Sequence, residues 1–142
     1  MKTKTIIALR GVANQGKSTS IKLAYALLKD AYPNAHVQEL HIGVDITVVI
    51  TINGTKVGIE SQGDPNSRLF VSLDHFVSIG CKVIICATRS RGKTVEAVNA
   101  LGGKYKIDWH PKSSAPSAAK QAAANRSVAQ QILAAVRAAI DA

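Results

Sequence analysis

The sequence has few cysteines and few aromatic residues. Two of its 142 residues are cysteine, and 4% are aromatic. Cys81 and Cys86 lie five residues apart, and Cys86 falls within the apolar run "KVIICAT". A disulfide framework or a zinc site needs more ligands at a different spacing. We therefore predict that both cysteines are reduced thiols in the hydrophobic core.

The sequence also lacks a long apolar run. A membrane-spanning helix needs roughly 18 to 20 consecutive apolar residues, and no run approaches that length. The opening "MKTKTIIALRG" places charges before an apolar run, as a signal peptide does. That run is shorter than the about 7 to 15 apolar residues of a signal peptide. We predict a first β-strand here, no membrane association and a cytoplasmic location.

Acidic residues are scarce as well. The chain has 18 Lys and Arg against 9 Asp and Glu, which gives a net charge of +9 and a pI of about 9.8. This balance favours polyanionic partners, namely nucleotides, phosphorylated substrates or nucleic acid. Nucleic acid is the least supported of these, because no RNA- or DNA-binding motif is present. Three Tyr, two Phe and one Trp also offer little material for base stacking.

Apolar periodicity and turn signals divide the chain into alternating strands and helices. Asn53-Gly54 between two β-branched runs is typical of a hairpin, because a type I′ turn needs positive φ at both central residues. We predict one domain over residues 1–142 with a three-layer α/β fold. Its mainly parallel sheet has about five strands, one of them an antiparallel edge strand from the hairpin. The strands are predicted at 4–10, 45–52, 55–60, 81–88 and 104–110, and the helices at 17–32, 69–80, 94–101 and 116–140.

The octapeptide "GVANQGKS", residues 11–18, lies between the first strand and the first helix. A glycine, four free positions and then Gly-Lys-Ser form the pattern of a loop that cradles phosphates. Gly11 and Gly16 let the backbone curl so that successive N–H groups point at phosphate oxygens. The helix that follows directs the positive end of its dipole at the same anion. The backbone amides predicted to face the phosphates belong to Gly11, Ala13, Asn14, Gln15 and Gly16.

The next residues supply a charge and hydroxyl groups. Lys17 is predicted to reach the β- and γ-phosphates, the Ser18 hydroxyl to ligate Mg²⁺, and Thr19 to contact the α-phosphate. At these residues the chain resembles the P-loop NTPase superfamily, and the resemblance covers residues 4–64 best. It implies that the chain binds a nucleoside triphosphate together with Mg²⁺.

Within that superfamily, the hairpin is similar in layout to that of the Ras-like GTPases. Its second strand ends in "ESQGD". The resemblance implies that Glu60 holds Mg²⁺ through water and that the Gly63 amide touches the γ-phosphate. Glu60 stands where that family has Asp. No Asn-Lys-x-Asp segment for reading guanine follows the fourth strand, where "CATRSRGK" stands instead, so ATP is favoured over GTP.

The loops also resemble those of the small P-loop kinases of nucleotides and metabolites. Arg89 and Arg91 follow a strand at the carboxyl end of the sheet, where ligands bind in open α/β folds. Planar guanidinium groups suit the oxygens of a transferring phosphoryl group. The segment "SQGDPNSR" is then the loop for an acceptor such as a phosphorylated small molecule, with Asp64 as base or metal ligand and Arg68 as anion clamp. The sequence shows no long helical lid of the kind those kinases carry.

Together these residues predict Mg²⁺-dependent binding and hydrolysis of a nucleoside triphosphate. A kinase that phosphorylates a small molecule or nucleotide, and a nucleotide-sensing module with little turnover, stay open as alternatives. Asp45, just before the hairpin, is a weaker candidate for a metal contact, and Trp109, after the last strand, is a candidate for packing against the base. The predicted catalytic residues are Lys17, Glu60, Arg89 and Arg91, and the predicted metal ligands are Ser18, Glu60 and Asp64.

Overall fold

The computed structural model of the chain describes residues 4–11, 16–63, 68–111 and 117–141. Strands and helices alternate along most of this length, as the apolar periodicity predicts. The elements in chain order are β1 (Thr5–Arg10), α1 (Lys17–Ala31), β2 (His36–His41), β3 (Thr47–Ile52), β4 (Thr55–Glu60), α2 (Leu69–Ser78), β5 (Val83–Thr88), α3 (Lys93–Asn99), β6 (Lys106–Pro111) and α4 (Ala118–Asp141).

The strands form one mixed sheet in the order β2-β3-β4-β5-β1-β6. Strand β1 is parallel to β5 and to β6, and β4 is parallel to β5. Strand β3 is antiparallel to both of its neighbours. The prediction of a mainly parallel sheet with an antiparallel hairpin is therefore confirmed.

The sequence did not predict β2, which covers the outer edge of β3 as a sixth strand. Most of its residues are exposed, so "HVQELH" carries little of the apolar signal by which the other strands are recognised. The pairing with β3 contains an irregularity between Glu39 and His41. Because β2 takes the outer position, β3 lies second from the edge of the sheet.

Helices cover both faces of the sheet and create two hydrophobic clusters. On one face α1 and α4 pack over Ile7, Ile59 and Ile85, with Ile132 and Val136 from α4 in the same cluster. On the other face α2 and α3 pack over alternate residues of the same strands. That cluster includes Ile6, Ala8, Val49, Leu73, Phe76, Ile84, Cys86 and Val98. Successive residues of a strand point to opposite faces, and this alternation determines which side chains reach α1.

The hairpin turn has the conformation that its sequence predicts. Asn53 has φ 50° and Gly54 has φ 82°, so both central residues have the positive φ of a type I′ turn. Across the turn Ile52 pairs with Thr55, and Thr47 pairs with Glu60 at the far end. The turn therefore sets the register that brings the residues before β3 beside the residues after β4.

None of the helices in residues 4–11, 16–63, 68–111 and 117–141 combines the length and the apolar character needed to cross a lipid bilayer. Both cysteines are free thiols in the core, as predicted. Burial raises the pKa of Cys81 to about 11. Burial, with a smaller contribution from the nearby Glu60 carboxylate, raises the pKa of Cys86 to about 12.

These raised pKa values predict a loss of stability at alkaline pH. Above about pH 8.5 the thiols ionise in the unfolded chain, whereas both stay protonated in the folded protein. The free energy of unfolding should therefore fall as the pH rises through this range, by up to about 1.4 kcal/mol per pH unit for each thiol. Urea unfolding between pH 8 and 10.5 measures this slope. A matched Cys81→Ala/Cys86→Ala variant should show a shallower slope, and an identical slope would contradict the prediction.

Candidate functional site

The polarity of the strands assembles a group of polar residues at one edge of the sheet. Strands β4, β5, β1 and β6 are parallel, so their carboxyl ends meet there. Strand β3 runs the other way, so the residues that precede it lie at the same edge. This edge of an open α/β sheet is where ligands bind in other proteins of this architecture. Gly11, Asp45, Ser61 and Thr88 all lie there.

Lys17, the first residue of α1, is buried between two strand ends. Its side chain is 8% exposed. The ammonium group donates to the carbonyl oxygen of Gly11, after β1, and to that of Thr88, at the end of β5, at 2.6 Å from Nζ. The Gly11 amide also donates to the Thr88 carbonyl oxygen at 3.3 Å. The charge therefore lies between the ends of β1 and β5, in contact with Gly11, the first residue of the loop that the sequence predicts to cradle phosphates.

Position 16, the last glycine of that loop, requires glycine because of its backbone conformation and because of the side chains that pack against it. Gly16 has φ 81°, in the left-handed region. A Cβ there would lie 2.3 Å from the Asn125 side-chain oxygen and 2.5 Å from the Gln121 side-chain nitrogen. The Ser20 hydroxyl donates to the Gly16 carbonyl oxygen at 2.8 Å. Helix α4 thus packs closely against the start of α1.

Sequence reasoning missed Asn125, which is 6% exposed. Its side-chain oxygen accepts from Gln121 at 2.9 Å and lies 3.3 Å from the Ser20 hydroxyl oxygen. A signal was present in the sequence, because Asn125 lies at helical spacing from Ala129 and Ile132 on the apolar stripe of α4. A polar residue on a buried stripe needs a polar partner, and here the partner lies at the start of α1.

The Ser18 hydroxyl contacts the carboxylate of Asp45. The Ser18 hydroxyl donates to Asp45 Oδ1 at 2.7 Å, and the Ser61 hydroxyl donates to the same oxygen at 2.9 Å. The Ser61 hydroxyl oxygen in turn accepts from the Ile46 amide at 2.8 Å. The Lys22 ammonium holds the same loop through the Val44 carbonyl oxygen at 2.8 Å. Helix α1 thus fixes Asp45 from two successive turns.

The Ser18 and Asp45 pair suits a hard divalent cation. Hydroxyl and carboxylate oxygens are ligands that Mg²⁺ prefers, and Mg²⁺ is commonly held by one or two carboxylates together with substrate phosphates. Among the described residues, no group of three or more His, Cys, Asp or Glu side chains converges as a self-contained metal site. Ser18 and Asp45 supply one hydroxyl and one carboxylate donor to such a cation.

The structure does not bring Glu60 to Ser18. Val57 and Ile59 of β4 point toward α1, so Glu60, one residue further along, points to the opposite face. There its fully buried carboxylate accepts from the hydroxyls of Thr47 at 2.6 Å and Ser72 at 2.5 Å. The backbone amide of Gln62 donates to its other oxygen at 3.0 Å. Glu60 thus belongs to a buried hydrogen-bond network that links β3, β4 and α2.

Arg68, the candidate anion clamp, is part of this buried hydrogen-bond network. Its guanidinium lies 3.5 Å from Glu60 Oε2, and its Nε donates to the Thr47 hydroxyl oxygen at 3.1 Å. Its backbone amide donates to the Gln62 side-chain oxygen at 2.9 Å. Arg68 is thereby positioned on the α2 face, away from Lys17 and Ser18.

The other predicted site residues lie at or near the edge. Gly63 packs so closely on β5 that a Cβ would lie 2.5 Å from the Ala87 carbonyl oxygen. Arg89 directly follows Thr88, and its amide donates to the Thr94 hydroxyl oxygen at 3.0 Å. Arg91 is exposed in the same loop, and Thr19 is exposed on α1. Ala13, Asn14, Gln15 and Asp64 lie outside the described residues, so their roles stay predictions.

No protein-family model matches this chain, and neither a curated protein nor a solved structure matches it. The grounds for assigning a function are therefore the fold and the geometry of the site.

The contacts of Glu60 and Asp45 predict different costs when each carboxylate becomes an amide. Glu60→Gln puts an NH₂ group among buried hydroxyl donors, and a mismatched buried hydrogen bond costs about 1–3 kcal/mol. Asp45→Asn changes a half-buried side chain and should cost less than about 1 kcal/mol. Urea unfolding at neutral pH measures both values. Equal losses of unfolding free energy, or a larger loss for Asp45→Asn, would contradict the assignment of Glu60 to the buried hydrogen-bond network.

Proposed function

We propose that this protein binds a nucleoside triphosphate with Mg²⁺ at the carboxyl edge of its sheet and hydrolyses it. The observation that carries the proposal is the placement of Lys17 and Ser18 on the first turn of α1, directly after the glycine-rich loop, with the Asp45 carboxylate hydrogen-bonded to Ser18. ATP is favoured over GTP because the sequence lacks a guanine-reading segment. The proposal follows from strand, loop and helix occurring in the order that phosphate binding requires.

The roles of the residues follow from their positions. The Lys17 ammonium, now held by the carbonyl oxygens of Gly11 and Thr88, would donate to phosphate oxygens. The start of α1 adds the positive end of a helix dipole. The Ser18 hydroxyl and the Asp45 carboxylate would hold Mg²⁺, which supplies charge neutralisation on the phosphates when bound. In this proposal the metal role of Glu60 passes to Asp45.

The loop after β5 carries further positive charge at this edge of the sheet. Arg89 directly follows Thr88, whose carbonyl oxygen contacts Lys17. Arg91 is exposed two residues later. Phosphoryl transfer develops charge on the equatorial oxygens, and a guanidinium group there stabilises the transition state. We assign this role to one of the two arginines, with water as the acceptor.

Thermal unfolding with ATP, GTP and their diphosphates, each with and without Mg²⁺, tests binding. A ligand at a hundred times its Kd stabilises by about 2.7 kcal/mol, which raises Tm by several degrees for a domain of this size. We expect a Mg²⁺-dependent shift with ATP that is lost in Lys17→Ala. Phosphate release without added acceptor then distinguishes hydrolysis from mere binding. Absence of a shift with every nucleotide would overturn the proposal.

A pair of carboxylate variants tests which residue holds the metal. Asp45→Asn weakens a metal ligand, so the part of the ATP-induced Tm shift that depends on Mg²⁺ should fall by half or more. Glu60→Gln should lower Tm in the absence of ligand but keep the full Mg²⁺-dependent shift. Titrating Mg²⁺ at fixed ATP gives the apparent metal affinity of each variant. The reverse pattern, with Mg²⁺ dependence lost only in Glu60→Gln, would return the metal role to Glu60.

A further inference from the structure

Besides Lys17, further positive charge lies at the carboxyl edge of the sheet, on the face that α3 covers. Ile6 and Ala8 of β1 pack on that face, and Arg10 follows them in the alternation. The Arg10 Nε donates to the Ser90 carbonyl oxygen at 2.7 Å, which places Arg10 against the loop after β5. We call Arg10, Arg89, Arg91 and Lys93, together with Trp109, the basic strip.

Part of the charge of the basic strip is exposed to solvent. Arg91 and Lys93 are exposed, and Arg10 and Arg89 are half-buried. Glu96 is the single acid between residues 89 and 99. Arg91 and Lys93 therefore face solvent beside the half-buried Arg10, in a protein that already has a net charge of +9. Such a surface attracts polyanions through a long-range field that falls with ionic strength.

The basic strip also contains the only tryptophan of the chain. Trp109 is half-buried and packs against the α3-side cluster, and the Arg10 guanidinium lies 5.2 Å from its ring centroid. A guanidinium within about 6 Å of an indole ring centroid is attracted to the ring by a cation–π interaction. Aromatic rings and guanidinium planes are the surfaces on which unpaired nucleic-acid bases stack.

We infer that the basic strip binds single-stranded nucleic acid. Phosphates contact Arg91 and Lys93, and a base stacks on the Arg10–Trp109 pair. A protein partner is less suited to this surface, because the exposed large apolar side chains of the described residues lie on β2, the loop after it and α2. They are Leu40, Ile42, Val44 and Val71. Binding of the nucleic acid is proposed separately from the nucleotide site: it uses Arg10, Lys93 and Trp109 and does not involve Lys17, Ser18 or Asp45, although Arg91 is a candidate in both sites.

The single tryptophan makes the inference directly measurable. Titration with a short oligothymidylate should quench the fluorescence of Trp109, and a labelled oligomer should show the same Kd by anisotropy. The logarithm of the affinity should fall with the logarithm of salt concentration, with a slope of about −0.7 for each phosphate contact. Trp109→Leu should weaken binding roughly fivefold or more, as expected when one base loses its stacking partner.

A charge-matched pair of double variants locates the site. Arg91→Glu/Lys93→Glu reverses two exposed charges of the basic strip and should weaken binding roughly tenfold or more, with a slope shallower by about 1.4. Lys104→Glu/Arg137→Glu makes the same change in net charge and should bind nearly as the wild type does. Both control residues are exposed. Lys104 precedes β6, and Arg137 lies near the end of α4 that Lys82 contacts through Ala139, so both are at the opposite edge.

Three outcomes would overturn the inference. The first is equal binding by the two double variants. The second is displacement of the oligomer by inorganic tripolyphosphate at equal phosphate concentration with no change in Trp109 fluorescence, which would mean a polyanion site without base recognition. The third is quenching by Mg²⁺-ATP but not by the oligomer, lost in Lys17→Ala. That result would mean that Trp109 faces the base of the nucleotide. It would support the proposed function and exclude single-stranded nucleic acid as a ligand of the basic strip.

Discussion

The contact on which the rest of the site depends is that of the Lys17 ammonium with the carbonyl oxygens of Gly11 and Thr88. A buried ammonium group is costly unless polar groups surround it. These two oxygens come from strands that are far apart in sequence but adjacent in the sheet. The contact joins α1 to β1 and β5 at the point where the glycine-rich loop begins. It therefore fixes the base of the proposed phosphate site.

The alternation of side chains along β4 separates two carboxylates that are close in space but differ in surroundings. Ser61 lies on the face toward α1 and contacts Asp45. Glu60, one residue earlier, lies on the face toward α2 and is surrounded by hydroxyl donors and Arg68. A shift of one residue in the register of the hairpin would exchange these faces. The Asn53-Gly54 turn sets that register, so a local turn preference decides which carboxylate meets Ser18.

Much of the fold could be predicted because it rests on local signals. Five strands, four helices and the hairpin follow from apolar periodicity and from one Asn-Gly pair. The strand β2 could not be recognised, since an exposed edge strand buries too little to leave an apolar pattern. Its identity as a strand comes from hydrogen bonds to β3, and those depend on the tertiary arrangement.

The contiguous part of the site was predictable residue by residue, whereas Asp45 was predicted only as a weaker candidate for a metal contact. Gly16, Lys17 and Ser18 are neighbours in sequence, so the motif alone positions them on the first turn of α1. Asp45 required knowledge of strand order and direction, because it reaches Ser18 only where the antiparallel β3 begins beside the end of β4. Asn125 required knowledge of how α4 packs on α1. Long-range partners of this kind follow from topology rather than from local spacing.

The two proposed sites share the same strand ends, and this has a thermodynamic consequence. The Thr88 carbonyl oxygen contacts Lys17, and the Ser90 carbonyl oxygen two residues later contacts Arg10, which directly precedes Gly11. A ligand that moves the Lys17 ammonium toward phosphate oxygens changes the contact of Lys17 with Thr88. Through the short segment from Thr88 to Ser90, it also changes the contact of Ser90 with Arg10. If nucleotide binding alters the affinity of the basic strip for a strand, the strand must alter the affinity for nucleotide by the same factor.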